Sequence, residues 1–174
     1  QPEPAVRSVF AGELEPALAI AMMTLQGAVS SAQLLARSQC CDHCVAAAFK
    51  HRLLVTYQVP LSLQQLRDTP ERLTADGQRR VDTILASTPA QELRTSGSRH
   101  LRNGLLHLGV TDVPAGVDGA VTLPDAAFHY TGVDVAQVVA TVDAALDEVR
   151  RGLEDWCLTP PPGGTGLMQV LRKP

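Results

Sequence analysis

The stretch TGVDVAQVVATVDAALDEVRRGLEDW, residues 131–156, decides the fold class of this chain. Its large apolar residues recur every three or four positions, which is the spacing of one face of an α-helix. They are Val135, Val138, Val142, Leu146, Val149, Leu153 and Trp156. Thr131-Gly132-Val133-Asp134 has the composition of a helix cap, and Thr159-Pro160 ends the pattern. We therefore predict a long amphipathic helix with one buried face.

The composition of the whole chain favours the same class. Its 174 residues are 45% apolar but only 3% aromatic, and small aliphatic side chains suit packed helices better than a β-sandwich. We predict an all-α, up-down bundle of four to five helices in one domain over residues 1–158, and a Pro- and Gly-rich tail or linker over 159–174. The net charge of −3 gives no general attraction for a polyanion, so nucleic-acid binding would need a local basic cluster.

Residues 17–36 contain no formal charge and predict the first helix. The stretch is long enough to span a membrane, but its polar residues favour a water-soluble helix, and we expect no membrane contact. Helical spacing turns one apolar arc inward, comprising Leu18, Met22, Leu25, Val29, Ala32 and Leu35, and turns Gln26, Ser30 and Gln33 outward. Because that outer face is uncharged, it favours burial against a second subunit, and we expect a homodimer.

Caps and breaks predict the next two helices. The second covers residues 42–58 and ends before Pro60, because proline inside a helix removes a hydrogen bond. The third opens at Thr69-Pro70, an N-cap followed by proline in the first helical position, and contains Gly77 in its middle.

A further helix opens at Thr88-Pro89, where Gln91 completes the spacing of a capping box. Ser96-Gly97-Ser98 is able to interrupt it and start a new helix. Prolines and glycines over residues 109–131 interrupt the helical periodicity, so we predict a long loop or a short hairpin before the last helix.

The first residues and the cysteines bear on compartment and metal content. Residues 1–16 mix prolines with acids and lack the pattern of a secretory signal, and the cysteines do not form a secreted disulfide framework, so we expect a cytoplasmic protein. Cys41 and Cys44, with His43 between them, have the spacing of half a zinc site. Since the second half is missing from the sequence, we expect neither metal nor cofactor. A zinc-dependent regulator would instead bind one metal per chain.

The segment Arg102-Asn103-Gly104-Leu105-Leu106-His107 holds the candidate catalytic residues. On a helix, Leu101 and Leu105 face the core, and His100, Asn103 and His107 share the opposite face. Arg102 projects about 140° from His107 and reaches that face only by wrapping around the helix or by meeting a partner chain. Gly104 costs about 1 kcal/mol relative to Ala, which indicates a close approach to the backbone there.

These residue types suit RNA cleavage without a metal. A histidine is able to remove the proton of a ribose 2′-hydroxyl, and an arginine stabilises the phosphate as negative charge develops. Arg94, Arg99 and His100 provide a local positive surface for substrate. His129-Tyr130, beside the start of the last helix, we interpret as packing rather than chemistry.

Arg102-Asn103 followed by His107, between Leu101 and Leu108 in a helical chain, resembles the signature of the HEPN (higher eukaryotes and prokaryotes nucleotide-binding) superfamily. The resemblance implies a helical bundle that dimerises so that two motifs face each other. It also implies metal-independent RNA cleavage, as in toxins and antiphage effectors, with His107 as base, Arg102 as phosphate binder and Asn103 as orienting residue. The alternative is a catalytically inactive HEPN-like interaction or nucleotide-binding module, paired with a partner such as a nucleotidyltransferase antitoxin.

Overall fold

The computed structural model of the protein describes residue 14 and residues 16–37, 42–94, 96–107 and 123–159. Within these ranges the chain is helical and contains no β-strand, which confirms the all-α class. The described ranges contain seven α-helices, namely α1 (Pro16–Arg37), α2 (Asp42–Arg67), α3 (Ala75–Leu85), α4 (Thr88–Glu92), α5 (Ser96–His107), α6 (Leu123–Thr131) and α7 (Val135–Leu158). A 3-10 turn over Pro70–Arg72 connects α2 to α3. The described helices outnumber the four to five predicted because α4, α5 and α6 are separate short elements.

Helix α7 is the element around which the others pack, since it contacts α1, α2, α3, α4 and α6. Asp134 caps it, accepting a hydrogen bond from the Gln137 backbone N–H at 2.8 Å. The predicted apolar stripe is buried from Val138 to Trp156, and Trp156 has no exposed surface. The stripe is therefore confirmed, with only Val135 half-buried, and within the predicted cap segment 131–134 the capping residue is the last one.

Helix α2 continues to Arg67, so the prediction that Pro60 ends it is wrong. An internal proline costs about 3 kcal/mol, because it removes one hydrogen bond and crowds the preceding turn. Val59 and Leu63 on either side of it are 2% and 0% exposed, and burial of side chains of this size contributes about 1.5–3 kcal/mol each. Core packing on both sides of Pro60 offsets the energetic cost of the internal proline, on which the predicted helix end was based.

The predicted start of the third helix is also displaced. Thr69-Pro70 opens only the 3-10 turn, and the third predicted helix begins after Thr74, whose hydroxyl accepts from the Gly77 N–H at 3.1 Å. Gly77 therefore lies in the first turn rather than the middle, where a Cβ would lie 3.3 Å from the Trp156 ring. Close packing against Trp156 explains a glycine at this position.

The predicted capping box at Thr88 does not form. The N-cap is Ser87, which makes no side-chain capping hydrogen bond, and the Gln91 amide donates to the Ala86 carbonyl at 3.4 Å. The loop or hairpin predicted over residues 109–131 is wrong for its last part, because Leu123–Thr131 is helical. Residues 108–122 and the predicted tail beyond residue 159 lie outside the described ranges.

The predicted apolar arc of α1 is buried or half-buried except at its last residue, but the opposite face is not fully exposed. Gln33 was expected to face outward, but its amide donates to the Asp147 carboxylate of α7 at 3.0 Å, and Gln26 and Ser30 are half-buried. Leu35, expected to face inward, is 45% exposed. Because α1 packs against both α2 and α7, polar residues beside the apolar arc are partly covered as well.

The core consists of two hydrophobic clusters that share α2 and α7. The larger cluster joins α1, α2, α3 and the C-terminal half of α7. The smaller one joins the N-terminal halves of α2 and α7 to α4, α5 and α6. The side chain of Arg52, only 11% exposed, forms an ion pair with Asp143 between them. The smaller cluster packs against α5, the helix that carries the candidate catalytic residues.

Candidate functional site

Helix α5 presents the orientation predicted from its sequence. Leu101 is fully buried and Leu105 packs partly against the smaller cluster. On the other side His100 is exposed and Asn103 is half-buried. We call the face defined by His100, Asn103 and the position of His107 the polar strip of α5. The helical phase of the candidate segment is therefore as predicted.

Arg102 reaches the edge of this strip within its own chain. Its Nε donates to Asn103 Oδ1 at 3.0 Å, and its Nη2 donates to the same oxygen. Its guanidinium carbon lies 4.2 Å from the centre of the Tyr57 ring of α2, within the range of an attractive cation–π contact. Of the two routes predicted for Arg102, the structure shows the one that wraps around the helix, so a partner chain is not needed to bring it there.

The charge around Arg102 is not compensated within the described structure. Six other arginines form ion pairs with carboxylates; they are Arg52, Arg67, Arg79, Arg80, Arg150 and Arg151. Arg94, Arg99 and Arg102 form none with the carboxylates that the structure describes. Arg99 and Arg102 are three residues apart on one helix, a spacing at which like charges are neighbours and repel. A bound anion would relieve that repulsion.

The other flank of the strip is Tyr130 of α6, which contacts α5 over two turns. A Cβ at Gly97 would lie 2.5 Å from the Tyr130 carbonyl oxygen, and a Cβ at Gly104 would lie 3.2 Å from its ring and hydroxyl. The close approach predicted at Gly104 is thus made by Tyr130. The ring also lies near His100, with centroids 6.5 Å apart, and has His129 edge-on at 4.8 Å. Packing is confirmed as one role of the His129-Tyr130 pair.

Both tyrosines of the chain therefore flank the polar strip, Tyr57 on one side and Tyr130 on the other. Sequence reasoning did not place Tyr57 in the site and treated Tyr130 as packing alone. The available signal was the pair Gly97 and Gly104, seven residues apart and so on one helical face. Two glycines on one face indicate that another element lies against it.

The remaining predicted site residues are placed as follows. His107 is in the last turn of α5, four residues after Asn103, and its side chain lies outside the described part of the structure. Arg94 is exposed in the turn between α4 and α5. Arg99 is exposed on α5, one turn before Arg102 and Asn103. The structure thus brings Arg99, His100, Arg102 and Asn103 to one side of α5, with Arg94 before its start.

The cysteine cluster adds no site to this description. Cys40 and Cys41 lie outside the described ranges, as do the side chains of His43 and Cys44. Among the described side chains no group of three or more His, Cys, Asp or Glu is arranged to hold a metal. Cys157 is buried in the larger cluster, and desolvation raises the pKa of its thiol to about 11.

The chain was compared with family models, curated proteins and solved structures, and none of them matches it. Ala17–Arg37 is long and apolar enough to cross a membrane by length and composition alone, a property that core helices of soluble proteins share.

Proposed function

We propose that the polar strip of α5 binds RNA and cleaves it without a metal, as a HEPN-like endoribonuclease. The observation that carries this proposal is the state of Arg102. Its guanidinium is held by Tyr57 and Asn103 but has no ion pair with a described carboxylate. A half-buried cation that is fixed in position and not neutralised is suited to bind a phosphate.

In the proposed reaction the His107 imidazole accepts the proton of a ribose 2′-hydroxyl. The 2′-oxygen then forms a bond to the adjacent phosphorus, and the bond from phosphorus to the 5′-oxygen of the next nucleotide breaks. The products are a 2′,3′-cyclic phosphate and a 5′-hydroxyl, with the departing oxygen taking a proton from a general acid or water. Arg102 stabilises the charge that grows on the phosphate oxygens, and Asn103 orients Arg102 through its Oδ1.

Substrate attraction in this proposal comes from the residues around the strip. Arg94 and Arg99 are exposed, and His100 shares the strip with Asn103. Together they supply locally the positive surface that a chain with net charge −3 lacks as a whole.

A homodimer and a cytoplasmic role as a toxin or antiphage effector are further parts of the same proposal. The exposed face of α1 supports self-association, because it is apolar and uncharged: Ile20 is 57% exposed, Met23 45% and Leu34 68%. Two such faces meet without charge repulsion. Sedimentation of the purified chain measures its oligomeric state, and a monomer at all concentrations would contradict the dimer.

The test of cleavage is incubation of the purified chain with RNA in excess EDTA, followed by analysis of the fragment ends. We expect 2′,3′-cyclic phosphate ends. His107→Ala should lower the rate by about 100-fold or more, the usual contribution of a general base, and Arg102→Ala by a similar factor. Arg72→Ala is the matched control, since Arg72 is exposed in the 3-10 turn and has no ion pair with a described carboxylate.

Two outcomes would separate this function from its alternative. Cleavage that persists equally in His107→Ala and Arg102→Ala would show that the activity comes from elsewhere. Binding of RNA or nucleotides by the wild-type chain with no cleavage would instead support a catalytically inactive interaction module. A partner such as a nucleotidyltransferase would then be sought by co-purification.

A further inference from the structure

Three rings form a cluster at the flank of the polar strip that the cleavage chemistry does not use. His100 and His129 are exposed, and Tyr130 between them is half-buried. The His100 and Tyr130 rings lie within 22° of parallel, with centroids 6.5 Å apart. The His129 ring meets Tyr130 edge-on, at 77°. Two of these rings therefore face solvent while the third connects them to the fold.

Tyr130 is held firmly, and this fixes the position of the cluster relative to the arginines. Its carbonyl and its ring both lie against α5, at Gly97 and Gly104. His100 lies between these glycines on the same helical face, and Asn103 follows one turn later. Since Asn103 accepts from Arg102, the fixed guanidinium lies beside the residue that follows the exposed imidazole by one helical turn.

A flat ring beside a fixed cation has the chemistry of a nucleotide site. Bases stack on the faces of Tyr and His rings, and the neighbouring phosphate binds arginine. In a duplex both faces of each base are covered by its neighbours, so only an unpaired base is free to stack in this way.

We infer that the His100 ring, supported by Tyr130, stacks an unpaired base of a single-stranded nucleic acid whose adjacent phosphate binds Arg99 and Arg102. The choice of RNA as the natural strand rests on the proposed function, whereas the stacking itself does not. The polar strip should therefore bind single-stranded nucleic acid more tightly than duplex.

The test uses a single-stranded 2′-deoxy oligonucleotide that contains the fluorescent base 2-aminopurine. It lacks the 2′-hydroxyl, so the proposed reaction is not able to consume it. Stacking on a protein ring quenches the fluorescence of the base, and titration gives the affinity. We expect quenching with the wild-type chain and weaker binding of the same sequence as a duplex.

Variants at the exposed His100 separate stacking from other roles. His100→Ala should abolish the quenching and weaken binding of the single strand by about five- to 100-fold, the usual range for one stacked base. His100→Phe should retain both, because it keeps a ring without a charge or hydrogen bond. Arg72→Ala should change neither, and circular dichroism confirms that each variant is folded.

Three outcomes would overturn the inference. They are an absence of oligonucleotide binding by the wild-type chain, quenching unchanged in His100→Ala, and equal losses in His100→Ala and His100→Phe. Quenching that depends on a ring at position 100, in a chain that leaves RNA intact under EDTA, would support the stacking site while contradicting the proposed cleavage.

Discussion

Two ends of the molecule differ in whether their arginines form ion pairs with carboxylates that the structure describes. Along α3 and the C-terminal half of α7, which we call the paired end, arginines have carboxylate partners. Arg80, for example, contacts Asp76 at 2.7 Å and Asp155 at 3.0 Å and donates to the Thr159 carbonyl at 2.7 Å. On α5, Arg99 and Arg102 have no such partner among the described residues, and Arg102 is positioned by a ring and an amide instead.

The difference separates structural charge from charge left available for a ligand. At the paired end, ion pairs neutralise the surface and connect α3 to α7, although each exposed pair contributes only about 0–1 kcal/mol. On α5, neutral groups hold the guanidinium of Arg102 in place, and no carboxylate that the structure describes neutralises its charge. The comparison can be tested by substitutions at each end, from the largest expected effect to the smallest.

The largest effect is expected from removing the anchor of the paired end. Trp156→Ala leaves a cavity where a fully buried ring contacts the larger cluster, and should lower the free energy of unfolding by about 3–5 kcal/mol. Chemical denaturation followed by circular dichroism measures this. Leu158→Ala, at a side chain that is 54% exposed on the same helix, should change it by less than about 0.5 kcal/mol. Equal effects of the two substitutions would contradict the placement of the core.

A smaller loss is expected where α6 meets α5. Gly97→Ala puts a methyl group 2.5 Å from the Tyr130 carbonyl oxygen, so the helices must separate, at a cost of about 1–3 kcal/mol. The same substitution at Gly27 of α1, where no atom lies within 4 Å, should stabilise the protein by about 0.5–1 kcal/mol. Thermal unfolding of both variants shows whether each substitution raises or lowers the stability. Stabilisation by Gly97→Ala would contradict the close contact.

The paired end should also respond to acid. The hydrogen bond from Arg80 lowers the pKa of Asp76 below its ordinary value of 3.8. The stabilisation is therefore complete above that value and is lost as the pH falls through the lower, folded-state pKa. Asp76→Asn should cost about 0.5–1 kcal/mol at neutral pH, and the difference from wild type should vanish in strong acid.

Urea denaturation at a series of pH values measures this dependence on Asp76. Glu71→Gln is the control, because Glu71 is exposed and forms no ion pair with the described basic groups. A cost of Asp76→Asn that stays constant down to the lowest pH would show that the carboxylate charge is not the cause.

The smallest effect on stability is expected from the exposed arginines, which should differ in binding. Arg99→Ala and Arg151→Ala should each change the free energy of unfolding by less than about 0.5 kcal/mol. Arg99→Ala should lower the slope of log affinity for single-stranded RNA against log salt concentration by about 0.7, which corresponds to one lost phosphate contact. Arg151→Ala, which removes a partner of Glu148 at 2.9 Å, should leave that slope unchanged. Equal slopes in the two variants would remove the distinction between the two ends.

The sequence allowed prediction of those parts of the fold that depend on local spacing. The stripe of α7 and the core-facing side of α5 around Leu101 follow from periodicity, which is a property of neighbouring residues. The continuation of α2 through Pro60 does not, because it depends on the burial of Val59 and Leu63 by distant elements. Most of the predicted apolar arc of α1 is buried, whereas the contact of Gln33 with Asp147, 114 residues away, was not predictable from local spacing.

In the candidate site, too, features that depend on local spacing were predicted, and contacts with distant residues were not. Asn103 and His107 were placed on one helical face from their spacing, and the wrapping of Arg102 was one of two predicted routes. The contact with Tyr57 was not predictable, because it joins α5 to a residue 45 positions earlier in the chain. The contact with Tyr130 was indicated only by glycines on one face of α5, which imply a close neighbour without identifying it.

Because Cys157 is buried, the reactivity of its thiol is a measure of local unfolding. Its thiol is enclosed by the larger cluster and its pKa is raised to about 11, so Cys157 presents almost no thiolate to an alkylating reagent while the chain is folded. Alkylation of Cys157, identified by the mass of its peptide, therefore requires that α7 separates transiently from its neighbours. The rate at which that mass appears under native conditions would measure how often the core opens around Cys157.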